Sequence, residues 1–155
     1  MWWRRLRYSL LLVALCAVAT CPAAQRSCTA KSRAREAEQI LGYLAERVEA
    51  AIAATGRVPE TPAGPTPATD CCTQGGTCTA DPAAWSAPGW RALAFSVDAE
   101  HRYTYAYAPD PGGRAAVLRA AGDLDCDGKP AVYELEIRIE AQGPVRRWRR
   151  KDPYE

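Results

Sequence analysis

The sequence predicts an α+β fold, in which one N-terminal amphipathic helix packs on an antiparallel sheet of about four strands. Apolar residues recur at helical spacing within residues 31–55, and apolar and charged residues alternate between 133 and 140. About 130 residues remain after a predicted N-terminal signal, which suits one domain with a modest core. A helix with one apolar stripe and a sheet with one apolar face can cover each other, which gives two layers.

Residues 1–24 are predicted to be a secretory signal peptide. Arg4, Arg5 and Arg7 form a basic start, a short apolar core covers residues 10–19, and small residues lead to Ala24. The apolar core is shorter than the about 20 residues that cross a bilayer. We therefore expect export to the periplasm or beyond the cell, with no transmembrane span once the signal is removed.

A lipoprotein signal is the alternative interpretation of the same segment. Residues 18–21 read Val-Ala-Thr-Cys and resemble a lipoprotein box, in which Cys21 would carry the lipid and attach the protein to the outer membrane. Thr20 before the cysteine and Pro22 after it depart from the usual box. The N-terminal sequence of the mature protein distinguishes the two interpretations.

The charge balance argues against a nucleic-acid partner. The chain has 20 basic and 18 acidic residues, and without the three arginines of residues 1–24 there remain 17 and 18. The overall field of the mature protein is thus nearly neutral. Residues 146–155 form a basic C-terminal segment in which Trp148 lies among arginines, a composition that could grip phosphates and stack on a base. We predict a solvated tail there instead.

Enzymatic activity is not predicted. The chain lacks Gly-x-Ser-x-Gly, His-Glu-x-x-His and a phosphate-binding glycine loop. The chain has a single histidine, His101, so catalytic pairs of a nucleophile and a general base are short of a partner. We predict that His101 is a solvated residue in a turn between two strands.

The first element is a helix over about residues 31–55. Gly56 follows as a stop signal. The residues of its apolar stripe are Ile40, Leu41, Leu44, Val48 and Ile52.

A loop rich in proline, glycine and cysteine follows, over about residues 56–89. In an exported chain cysteines are read as disulfide partners. The candidates are Cys28, Cys71, Cys72, Cys78 and Cys126. The segment CCTQGGTC predicts a short loop closed between Cys78 and either Cys71 or Cys72, and the odd number leaves one cysteine over.

The sheet is predicted over about residues 90–140. Alternating apolar residues predict a first strand through 93–97, and tyrosines at every second position predict a second through 103–107. The segment RAAVLRAAG, residues 114–122, is the third. The fourth, through 133–140, shows the strictest alternation.

An acidic loop between the last two strands is the candidate functional site. Asp123, Asp125 and Asp127 alternate, Gly128 follows, and Glu134 stands at the twelfth position. This is the spacing of a calcium loop, in which carboxylates surround one ion and the glycine permits a sharp bend. We predict a Ca²⁺ site with these three aspartates and Glu134 as ligands, the alternative being a plain acidic turn between strands.

Two stretches resemble the globular part of type IV pilin-like and pseudopilin-like proteins. They read PGWRALAFSVDAEHRYTYAYAPD and AAGDLDCDGKPAVYELE, and the acidic loop is the most specific part. The resemblance covers about residues 31–140, within a predicted domain over 25–145. The prepilin processing motif Gly-Phe-Thr-Leu-x-Glu is absent, and Cys126 replaces a glycine of the loop.

The resemblance implies a structural or interaction role. It implies a pilin-like domain freed from its membrane stem, with pilin or type II secretion proteins as candidate partners. We expect an exported, non-enzymatic protein of this kind.

Overall fold

The long helix precedes the sheet. A computed structural model of the chain describes residues 32–153, and helix α1 is helical throughout residues 32–55. Gly56 closes it as predicted, with a φ of +73° and its amide donating to the carbonyl of Ile52 at 2.8 Å. The buried residues of α1 are spaced by one helical turn: Ala34, Ala37, Leu41, Leu44, Ala45, Val48 and Ile52.

Five antiparallel strands form one sheet in the order β1-β2-β3-β4-β5. The predicted class, a helix on an antiparallel sheet, is confirmed, with one strand more than the about four expected. The strands are β1 (Ala63–Thr66), β2 (Thr104–Pro109), β3 (Ala115–Gly122), β4 (Ala131–Glu140) and β5 (Gly143–Lys151).

The core lies between α1 and one side of the sheet, which we call the inner face. Tyr105, Ala120 and Tyr133 are opposite one another on β2, β3 and β4 and are fully buried on this face. They form one cluster with the stripe of α1. The other side, the outer face, carries the alternate residues of the same strands, which are exposed or half-buried apart from Ala115.

The prediction of a strand through residues 93–97 is wrong. Pro88–Leu93 is a short helix, α2, and the chain then runs without regular structure to β2. Pro88 stands in the first turn of α2, where a fixed φ and a missing amide favour helix. Leu93, Phe95 and Val97 are nevertheless buried. The apolar alternation therefore indicates burial of these side chains and not a strand.

The prediction of a solvated C-terminal tail is also wrong for most of residues 146–155. Residues 146–151 belong to β5, which pairs with β4 along its whole length through a turn before Gly143. Trp148 packs against the core, and its ring lies 5.2 Å from the guanidinium of Arg150. The single apolar residue Trp148 between runs of basic residues gives no period-two alternation, so the sequence did not indicate this strand.

His101 is buried rather than solvated. Only 1% of its surface is exposed, and its backbone forms a bridge with Cys78 in both directions. Its ring packs near those of Trp85 and Tyr105. The disulfide-bearing loop covers this segment, which local sequence does not reveal.

Candidate functional site

The acidic loop connects β3 to β4, and it brings three carboxylates together. One oxygen from each of Asp123, Asp125 and Asp127 lies within 4.8 Å of the other two. Calcium–oxygen distances are about 2.3–2.6 Å, so two ligand oxygens across one ion are separated by at most about 5 Å. The three side chains are therefore at a separation that one calcium ion would bridge.

Asp123 also shapes the loop. Its carboxylate accepts the backbone amides of Asp127 and Gly128, at 3.1 and 2.7 Å. Cys126 and Gly128 both have positive φ, 63° and 92°. The chain thus turns back around the Asp123 carboxylate, with glycine at the position where the sequence predicted a sharp bend.

Lys129 is the cation that Asp127 already contacts. Its ammonium lies 2.8 Å from one carboxylate oxygen, and its backbone amide donates to the other at 2.9 Å. These hydrogen bonds lower the pKa of Asp127 from its ordinary value, so this carboxylate stays ionised to lower pH. A metal ion at the cluster would compete with Lys129 for Asp127.

Glu134 does not join the three aspartates. It lies on the outer face of β4, opposite Arg119 of β3 and Arg149 of β5. The chain is already extended from Ala131, so three further residues carry Glu134 about 10 Å along the strand. The predicted twelfth-position ligand is therefore not part of the carboxylate cluster.

Two cysteine pairs lie at disulfide distance and anchor the loops near the site. Cys71 and Cys78 are separated by 2.04 Å between sulfurs, which confirms that Cys78 pairs with one of the two adjacent cysteines. Cys72 pairs with Cys126 inside the acidic loop. Cys28 lies outside the described residues, as do Cys21 and the signal segment 1–24.

Sequence reasoning missed a cavity on the outer face beside this loop. Its volume is about 610 Å³, and five of its ten lining residues are basic. The signal available in the sequence was a basic residue at alternate positions of β5, Arg147, Arg149 and Lys151, together with Arg119 on β3. The charged lining residues are Arg119, Lys129, Glu134, Arg149, Arg150, Lys151 and Asp152.

No family model, curated protein or solved structure matches the chain. The pilin-like resemblance therefore stays a prediction. Within residues 32–153, no helix combines the length and the apolar character that a bilayer crossing requires.

Proposed function

We propose that this chain is an exported, non-enzymatic pilin-like structural or interaction protein whose acidic loop binds calcium. The observation that carries the calcium part is the convergence of Asp123, Asp125 and Asp127 within 4.8 Å. Carboxylate oxygens are the ligands that calcium prefers, and three negative charges at this separation oppose one another without a cation. Backbone carbonyls or water would complete the six to eight oxygens, since Glu134 is displaced along β4.

Calcium at this loop would stabilise a junction of several elements. The guanidinium of Arg33 on α1 donates to the carbonyl of Leu124, and the Leu124 side chain is buried. Cys126 links the loop to Cys72 in the long connection after β1. A cation that holds the loop would therefore hold the helix, the sheet and the long connection together.

The pilin-like part of the proposal is supported by the layering of the fold and by the resemblance of its two sequence stretches. One amphipathic helix covers one face of an antiparallel sheet, and the chain has a loop held by cysteine pairs. Candidate partners are pilin or type II secretion proteins, at the periplasm or cell surface. N-terminal sequencing of protein from each cell fraction tests export: a start near Gln25 supports it, whereas an intact N-terminus in the cytosol contradicts it.

Thermal unfolding tests the calcium part. Extracellular loops of this kind bind calcium with dissociation constants of about 10⁻⁴ to 10⁻³ M. Calcium at about 10 mM would then stabilise the fold by about 1.4–2.7 kcal/mol if it binds the folded form alone. For a domain of this size we expect a rise in Tm of several degrees, reversed by chelator.

Asp125→Ala is the decisive variant, because Asp125 is exposed and accepts no hydrogen bond from the loop backbone among those described. It should abolish the calcium-dependent rise while leaving the calcium-free Tm unchanged or slightly higher. Asp98→Ala is the matched control, since Asp98 is an exposed aspartate outside the cluster. A wild-type melting curve that does not change between chelator and 10 mM calcium would make the loop a plain acidic turn.

A further inference from the structure

We propose that the outer face of the sheet carries a binding site for a compact, multiply charged phosphate-bearing anion. The site is the cavity of about 610 Å³ next to the acidic loop. Arg119, Arg149 and Lys151 supply its positive charge, each from an exposed side chain. This site is separate from the aspartate cluster and requires no metal.

The strand register brings the basic residues to one place. Arg119, Glu134 and Arg149 form a row across β3, β4 and β5, and Lys151 lies in the next outer-face row, opposite Val132. Adjacent strands are about 4.8 Å apart, so the backbones under Arg119 and Arg149 are about 10 Å apart. Two guanidinium groups therefore flank the space above Glu134 from both sides.

Only some of the basic residues around the cavity have a carboxylate partner among the described residues. Five lining residues are basic and two, Glu134 and Asp152, are acidic. Lys129 and Arg150 each contact a carboxylate outside the lining at 2.8 Å, that of Asp127 and of Glu38. Within residues 32–153, neither Arg119 nor Lys151 forms an ion pair, and Glu134 forms none with the arginines beside it. Arg149 reaches instead to Glu136, at 3.7 Å.

The opposite end of the outer face is different. There Arg138 lies 2.6 Å from Glu136, and Arg147 lies 3.0 Å from Glu140. These contacts neutralise the basic residues far from the acidic loop. Among the described outer-face residues of β3, β4 and β5, the basic residues without an ion pair are Arg119 and Lys151, and both line the cavity. This local arrangement is the pattern of an anion site and not of a uniformly charged surface.

The lining selects the chemistry of the ligand. Guanidinium groups bind phosphate oxygens in pairs, and an ammonium adds a compact point charge. A cavity of several hundred Å³ accommodates one small molecule. Pro130 and Val132 provide apolar surface beside the charges, suited to the non-phosphate part of an organic ligand.

A long nucleic acid fits the same surface less well. The basic residues of β5 alternate between faces, and on the inner face Arg146 and Arg150 pair with Glu49 and Glu38 of α1. Trp148 packs against the core and is not free to stack on a base. The basic C-terminal segment is therefore divided between the two faces, and two of its basic outer-face residues line the cavity.

Calorimetric titration of the purified protein with sodium pyrophosphate, in calcium-free buffer, tests the proposal. We expect saturable binding that weakens as sodium chloride is raised. Arg119→Gln should weaken it at least about tenfold, because a charge-assisted pair of hydrogen bonds is lost. Arg91→Gln, which removes an exposed arginine of α2 outside the cavity, should change it less than about twofold.

Further arms distinguish the sources of phosphate. Vesicles of phosphatidylglycerol and a DNA duplex are titrated in parallel, and the melting curve of Arg119→Gln is recorded to show that the variant is folded. Binding only to vesicles or DNA, no binding of pyrophosphate, or an equal loss in Arg119→Gln and Arg91→Gln would each overturn the proposal. Because calcium is absent, these outcomes do not depend on the aspartate cluster.

Discussion

The two faces of the sheet use the same strands for different purposes. On β4, Tyr133, Leu135 and Ile137 face α1 and have no exposed surface, whereas Glu134 and Glu136 between them face outward beside arginines. Packing fixes the inner residues, since a close-packed core has little room for change. The outer residues are not needed to fill the core, so their charges are available for binding.

The polar groups of the inner face are also part of the packing. The hydroxyl of Tyr103 donates to the carbonyl of Arg33, that of Tyr107 to Pro59, and that of Tyr133 to Pro153. Burial raises the pKa of Tyr103 and Tyr107, which stay neutral as hydrogen-bond donors. These side chains join the sheet to the segments around it.

Substitutions at two neighbouring residues of β3 should show the largest contrast between the faces. Leu118 is fully buried on the inner face, and the next residue back, Val117, is 36% exposed on the outer face. Leu118→Ala should lower the free energy of unfolding by about 2–5 kcal/mol, through lost burial and a cavity. Val117→Ala should lower it by less than about 1 kcal/mol. Urea unfolding measures both, and similar losses at the two sites would contradict the division of the sheet into faces.

Removing single hydroxyls from the inner face should have smaller effects. Tyr107→Phe removes the 2.6 Å hydrogen bond to Pro59 and should cost about 1 kcal/mol of unfolding free energy. Tyr105 is its matched control, because its buried hydroxyl has no hydrogen-bond partner within residues 32–153. Tyr105→Phe should therefore leave the stability unchanged or raise it. A greater loss in Tyr105→Phe than in Tyr107→Phe, measured by the same unfolding curves, would refute this assignment.

The smallest contrast is expected between two adjacent arginines of β5. Arg146 contacts Glu49 of α1 through two nitrogens, at 2.6 and 2.7 Å, and this contact raises the pKa of the arginine. Arg147 points outward to the more exposed Glu140. Arg146→Gln should cost about 0.5–1 kcal/mol, and Arg147→Gln less than about 0.5 kcal/mol. Raising the salt concentration should narrow the difference, and a larger loss at Arg147 would count against it.

The fold could be predicted where one face of an element alone carries the apolar residues. The α1 stripe and the alternation of β4 are such cases, and both elements are present. The segment 93–97 alternates in the same way but is irregular, because buried loops show the same pattern as strands. Strand β5 was missed because only Trp148 interrupts its charges, and because its inner-face arginines, Arg146 and Arg150, pair with carboxylates of α1 that are distant in sequence.

Only the part of the candidate site that depends on local residue spacing could be predicted from the sequence. Asp123, Asp125 and Asp127 come together because they lie within five residues of one loop that turns back around the Asp123 carboxylate. Glu134 does not, since its position depends on where β4 begins. The pairing of Cys72 with Cys126 and the placement of Arg119 and Lys151 around one cavity depend on the packing of distant segments, which single-sequence spacing does not encode.

Hydrogen–deuterium exchange with and without calcium is the most direct measurement of the central claim, that the acidic loop is a calcium site. Saturating calcium should slow exchange in residues 121–134, above all at the amides of Asp127 and Gly128, which already donate to Asp123. Exchange in the inner-face residues of β3 should change little, and Asp125→Ala should remove the effect. Identical exchange of residues 121–134 in calcium and in chelator would contradict the claim.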